Sequence, residues 1–151
     1  MAKIKLGTKP KTITHALSFP MLDGTTGEVQ VEYVYRDRKA FATFIDAHMA
    51  AIKADADAAI EKLKAQIDAA KAAAGDGDSA EATVTTVSET EIVSKQIESQ
   101  VNFIMGAVSG WNLDVAFDRE SVEELATTLP QAATAIIQSY RTAMTEGRLG
   151  N

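Results

Sequence analysis

Two histidines, 21 acidic residues and no cysteine bound the chemistry open to this chain of 151 residues. Without a thiol there is no disulfide framework and no thiolate nucleophile. His15 falls in an alternating segment and His48 on the apolar side of a helical one. Neither has a second His or a Glu at the helical spacing that a zinc site needs, so both read as packed core histidines. "GDGDS" at 75–79 resembles a fragment of a calcium loop. Counting Asp76 as its first position puts Val87 where the bidentate Glu belongs, so the segment reads as a linker. "GTTG" at 24–27 is too short to cradle a phosphate, and no Lys-Ser/Thr pair follows it. The carboxylates lie mostly on exposed helix faces, where nothing marks a buried acid–base pair. No Ser stands in a nucleophile-elbow context. The expectation is a chain without catalytic residues, metal or cofactor.

Composition points the same way. Hydrophobic residues make up 46% and charged ones 24%, ordinary for a globular chain. Aromatics are few, so the core is expected to rest on Ala, Val, Ile and Leu. A net charge of −6 argues against general nucleic-acid binding, which needs basic surface. No apolar run approaches the roughly 20 residues of a membrane span. The N-terminus is basic but lacks the apolar stretch of a signal peptide. These features suggest a protein of the cytoplasm that does not bind membranes.

The elements follow from periodicity. The chain is expected to form a single domain over 1–151. Residues 1–11 carry Lys3, Lys5, Lys9 and Lys11 with no acid and read as a flexible basic arm. Residues 12–36 read as a β-hairpin. Ile13, His15, Leu17 and Phe19 share one face of the first strand, and Val29, Val31, Tyr33 and Tyr35 one face of the second. "MLDGTTGE", with Asp23-Gly24 and Gly27, supplies the turn. Asp37 opens a helical run to Ala74 without Gly or Pro. Phe41, Phe44, Ile45, His48, Ile52, Ala56, Ile60, Leu63, Ile67, Ala70 and Ala74 form its apolar stripe. The consecutive four-residue steps at 52, 56 and 60 make a stutter. Unbroken, 37–74 spans about 57 Å at about 1.5 Å per residue, longer than a compact domain of this size can cover. Its alanine-rich second half needs a partner helix, in this chain or in another copy.

Residues 75–90 read as a linker loop, ending where Ser88 and Glu91 have capping-box spacing. A second helix, from 91 to about 108, carries Ile92, Val93, Ile97, Val101, Ile104, Met105 and Val108. Packing 55–74 against 91–108 as a helical hairpin is the simplest cover for both stripes. Gly110 and Trp111, the one tryptophan, then turn the chain. Asp118 caps a helix with Val122, Leu125 and Leu129 on its apolar face. Pro130 starts a last helix that buries Ala133, Ile136, Ile137, Tyr140 and Met144, and Gly147 can cap it. The expected fold is therefore α+β, mostly α: an N-terminal β-hairpin, a long helix, a helical hairpin and C-terminal helices, with 91–151 as a C-terminal helical part.

The segment 110–151 resembles the tail assembly chaperones of long-tailed bacteriophages. The likeness rests on Gly110-Trp111, Asn112-Leu113, Phe117 before an acidic capped helix, Leu129-Pro130, Ala135-Ile136, Tyr140 and Asn151. "TITHALSFP" and "EVQVEYVYRDR" also resemble the opening strands of family members. Together these segments cover about half of the chain. The alanine-rich stretch 52–90 is longer than the family pattern. It reads either as an insertion that builds a helical hairpin or as a sign that oligomeric state and partner surface differ.

The resemblance implies a job without catalysis: binding the tape-measure protein, keeping it soluble and helping to recruit tail tube subunits in the host cytoplasm. In many such phages it also implies a longer frameshifted product that an amino-acid sequence does not reveal. The uncovered helix stripe itself leads to the expectation of a homo-oligomer. The alternative is a structural tail or head-completion component retained in the particle. A small enzyme or regulator is a third reading, for which the sequence offers no pocket. Partner contact is expected at Trp111, Phe117 and Tyr140, beside the acidic face of Glu120, Glu123 and Glu124. Trp111 can also be the plug that closes the corner between two helices. Residues 111–124 carry a local balance of −4 and the lysine arm +4, so arm and patch could meet between copies.

Overall fold

A computed structural model describes residues 3, 6, 7, 9–74 and 88–147. Strands β1 (Thr12–Pro20) and β2 (Thr26–Val34) form the expected antiparallel hairpin. Its register aligns the two apolar faces: Ile13 opposes Tyr33, His15 opposes Val31, and Leu17 opposes Val29. Asp23 fixes the turn by accepting from the backbone N–H and hydroxyl of Thr25, at 2.9 and 2.6 Å. Gly24 there has φ +84, a conformation that costs glycine little. Gly27, expected in the turn, lies instead in β2 opposite Phe19, whose ring folds across it, so a Cβ there would stand 2.9 Å from that ring.

Helix α1 (Arg38–Ala74) is unbroken, about 56 Å long at about 1.5 Å per residue. Asp37 opens it as expected, accepting from the backbone N–H of Ala40 at 2.9 Å. Its other oxygen meets Lys9 Nζ at 2.7 Å, and Lys11 accepts from Tyr35 N–H at 3.0 Å. The described end of the basic arm is thus tied to the first turn of α1. Lys5 lies outside the described residues, as do 75–87 of the linker and 148–151 of the tail.

Helix α2 (Glu89–Ala107) starts at the Ser88 cap, whose hydroxyl accepts from Glu91 N–H at 3.3 Å. Helices α3 (Arg119–Thr128) and α4 (Pro130–Glu146) follow, with Asp118 capping the first, Pro130 opening the second and Gly147 closing it at φ +69. One strand was not foreseen. Val108–Trp111 is not a helix end and turn but β3, which pairs antiparallel with β2 and completes the sheet order β1-β2-β3. The physical reason is tertiary. Strand β2 offers an open edge, and four residues with a glycine carry too little periodicity to announce a strand. Ser109 is the extra residue of a bulge between Glu32 and Tyr33, and its hydroxyl donates to Glu32 O at 3.1 Å.

The three-stranded sheet buries one face under α2 and α4, against which α3 and the start of α1 pack in turn. Thr14, Ala16, Ser18, Glu28, Gln30 and Glu32 are exposed on the other. The aromatic residues, few as they are, gather at the centre of the core. The Tyr140 ring lies within 5.3–6.0 Å of Tyr33, Phe41, Phe44 and Phe103. Its hydroxyl donates to Val34 O at 3.0 Å and accepts from Arg36 Nη1 at 2.7 Å. Tyr33 donates to Ile136 O at 3.1 Å, so two phenols join β2 to α4 from opposite directions. Burial pushes the Tyr33 phenol up to about 12, so it stays a donor throughout the usual pH range. Gly106 lets the Phe44 ring close on α2: a Cβ there would lie 2.7 Å from Cε2.

Two outcomes follow. Tyr140→Phe keeps the ring packing but leaves the Val34 carbonyl unpaired, and urea denaturation should show a loss of about 1–3 kcal/mol. Lys9, with the Ala40 N–H, holds the Asp37 carboxyl below its ordinary 3.8. Its contribution is present above pH 3.8 and lost as pH falls through the depressed value. The stability difference between wild type and Asp37→Asn should therefore be constant at neutral pH and shrink only below pH 3.8.

Candidate partner-binding surfaces

No group of three or more His, Asp or Glu that could hold a metal occurs among the described residues. Apart from the tyrosines, none of their polar or charged residues is buried. His48 lies at the root of α1, its Nε2 3.4 Å from Ser99 Oγ and its ring 5.2 Å, edge-on, from Phe103. Burial, with the nearby Arg141 charge, lowers its pKa, so the neutral ring is favoured. A shallow groove of about 230 Å³ opens beside it, lined by Met49, Ile52, Gln100 and Ile137 among others. A second, of about 340 Å³, lies between the first turns of α1 and the end of α4. No described helix is long and apolar enough to cross a membrane.

The apolar surface is more informative. Helix α1 touches the body only through its first turns, where Phe41 is buried and Phe44, Ile45 and His48 are partly so. From Met49 to Ala72 every residue is exposed. Helix α2 runs back alongside. Asp55 is near enough to Lys95 to help Glu98 hold it charged. Yet α2 starts only six residues before Lys95, so the distal turns of α1 extend past it. The two stripes therefore do not cover each other as the hairpin expectation required. Ile60, Leu63 and Ile67 remain 50, 38 and 45% exposed, and Ile92 and Val93 of α2 remain 47 and 43% exposed. The cause lies in the side chains. Alanine favours helix strongly but offers little to bury, so α1 persists as a helix without closing on its neighbour.

The residues expected to meet a partner separate into two groups. Trp111 and Phe117 do come together, their rings T-shaped at 5.1 Å. Trp111 sits on β3 opposite Val31, and its indole N–H donates to Val115 O at 2.9 Å. It thus holds a short loop beside the sheet, half-buried against the core on the strand that joins α2 to α3. Asn112 locks that loop to β2, accepting from Gln30 N–H through its side chain at 2.8 Å and donating its own N–H to Gln30 O at 3.0 Å. Both rings are half-buried, Val115 between them is 52% exposed, and Glu120, Glu123 and Glu124 are exposed on α3. Tyr140 does not join them. It is fully buried and its hydroxyl is committed inside the core, so it presents no surface. What sequence reasoning left out of the candidate surface was the arm itself. Its signal was present in the same stripe, which was read as needing a partner helix, in this chain or in another copy.

Phe117→Ala removes the ring edge from Trp111. The emission of this one tryptophan should shift to the red while far-ultraviolet circular dichroism stays unchanged. An unshifted spectrum would mean that the indole packs elsewhere.

A family model described as phage tail assembly chaperone matches residues 1–151. No curated protein and no solved structure matches the chain. With its whole length matched, the chain belongs to the phage tail assembly chaperone family.

Proposed function

We propose that this chain binds the tape-measure protein of its phage, keeps it soluble and helps to bring tail tube subunits to it, in the host cytoplasm and without catalysis. One observation carries the reading: a helix of 37 residues whose apolar stripe is left uncovered from Ile52 onward. A free helix of this kind does not improve the core, and isolated helices gain most of their stability from packing an amphipathic face. Exposed apolar stripes mark interaction sites. A long helical client has matching stripes, and helix-on-helix packing would cover both. Fully burying an Ile or Leu is worth about 1.5–3 kcal/mol, so the half-exposed Ile60, Leu63 and Ile67 together offer a few kcal/mol. The Trp111–Phe117 loop, with Glu120, Glu123 and Glu124 near by in sequence, is a smaller second contact. It suits a basic segment of client or tube protein.

The test is co-expression with the tape-measure protein, followed by separation of soluble and insoluble fractions. Wild type should bring the client into the soluble fraction and co-purify with it. A triple variant, Ile60→Gln, Leu63→Gln and Ile67→Gln, should fold with an unchanged core and lose most of that effect. A client that stays insoluble beside folded wild type would contradict the reading.

A further inference from the structure

The same stripe has a second feature, which lies in its charges. Beyond the stutter it settles into heptads, with Ala56, Ile60, Leu63, Ile67 and Ala70 alternating at steps of four and three. The residue after each of Ala56, Leu63 and Ala70 flanks the seam on one side: Asp57, Lys64 and Lys71. The other flank, before Ile60 and Ile67, is Ala59 and Gln66, which carry no charge. All of the charged residue on the seam is thus on one edge, and it changes sign along the arm.

That asymmetry decides what kind of helix fits. In a parallel pair of such arms, each edge faces the opposite edge of its partner. Asp57, Lys64 and Lys71 would then face Ile52, Ala59 and Gln66, and no opposite charges would meet. In an antiparallel pair each edge faces itself. Setting Ile60 of one copy level with Leu63 of the other places Asp57 beside Lys64 of the second copy, twice by symmetry. It also sets Ala56 against Ile67, small against large, in the flanking layers. This register overlaps residues 49–74 of both arms completely, the stretch that begins where the exposed part of α1 begins. Sliding by one heptad brings Lys64 against Lys64 and shortens the overlap. In the single chain Lys64 reaches only Glu61, at 3.7 Å and in full view of solvent. At the root of the arm, the helix end of the second copy arrives beside the groove lined by His48, Met49 and Ile52.

We propose that, without a client, two copies of this chain pair through antiparallel α1 arms in the register that joins Asp57 to Lys64 of the other copy, and that the client displaces the second copy from the stripe. The exchange rests on the client reading above; the pairing does not.

Sedimentation equilibrium of the full chain alone tests the pairing. Asp57 and Lys64 are exposed and far from the core, so their variants should unfold at the wild-type urea midpoint. Asp57→Lys alone and Lys64→Asp alone should each weaken dimerisation about tenfold or more, because two attractions become two repulsions. An equimolar mixture of these two variants should restore a dimer, now mixed, since every facing pair is again of opposite charge. The double variant should dimerise like wild type. A wild-type chain that stays monomeric at high concentration would overturn the proposal. So would single variants that dimerise like wild type, or a mixture that associates no better than either variant alone. Client solubilisation, measured separately by co-expression, reports on the chaperone reading alone.

Discussion

The hydroxyl of Tyr140 is the point on which the body of this protein depends. It joins the end of β2, at Val34, to the Arg36 guanidinium and to the middle of α4. Around it stand the rings of Tyr33, Phe41, Phe44 and Phe103, which come from β2, from the start of α1 and from α2. Arg36 is held in turn over the face of Phe44, 4.2 Å from its centroid. Sheet, long helix and C-terminal helices are thus brought to one place. Segments far apart in sequence must meet before any of them is buried.

That arrangement fixes the rest. Anchoring α1 only by its first turns, against α2 and α4, leaves the remainder of its length outside the body. Alanine keeps it helical, and the thin Ile–Leu stripe keeps it adhesive. A compact body that covered the whole helix would need a second helix as long, with larger side chains facing it. Helix α2 is 19 residues long and gives its C-terminal half to the core instead, through Val101, Phe103, Ile104 and Ala107. The exposed arm is therefore a consequence of how the apolar residues are distributed along the chain. The proposed function of this family member draws on that exposed helix.

Much of this was legible in the sequence. The alternation of "EVQVEYVY" gave the strand and its inward face, and Asp37, Ser88, Asp118, Pro130 and Gly147 marked helix ends because each solves a local backbone problem. Strand β3 was not legible. Its four residues pair with β2 across more than seventy positions of chain, and its first apolar residue, Val108, continues the spacing of the preceding helix. Trp111 was noticed but misplaced for the same reason. Tyr140 was read both as a buried residue of the last helix and as a partner contact; the structure bears out the first, and its tertiary contacts commit the hydroxyl inside. The stripe on α1 was read correctly as apolar. Whether it would be covered depended on a count of partner surface that a one-dimensional pattern does not contain.

The most direct test of the account is site-specific photo-crosslinking within the complex formed on co-expression with the tape-measure protein. A photoreactive side chain placed at Leu63, on the exposed stripe, should capture the tape-measure protein. The same group at Ala16, on the polar outer face of the sheet, should capture little or none. Capture from Ala16 with none from Leu63 would contradict the account and move the client to the sheet.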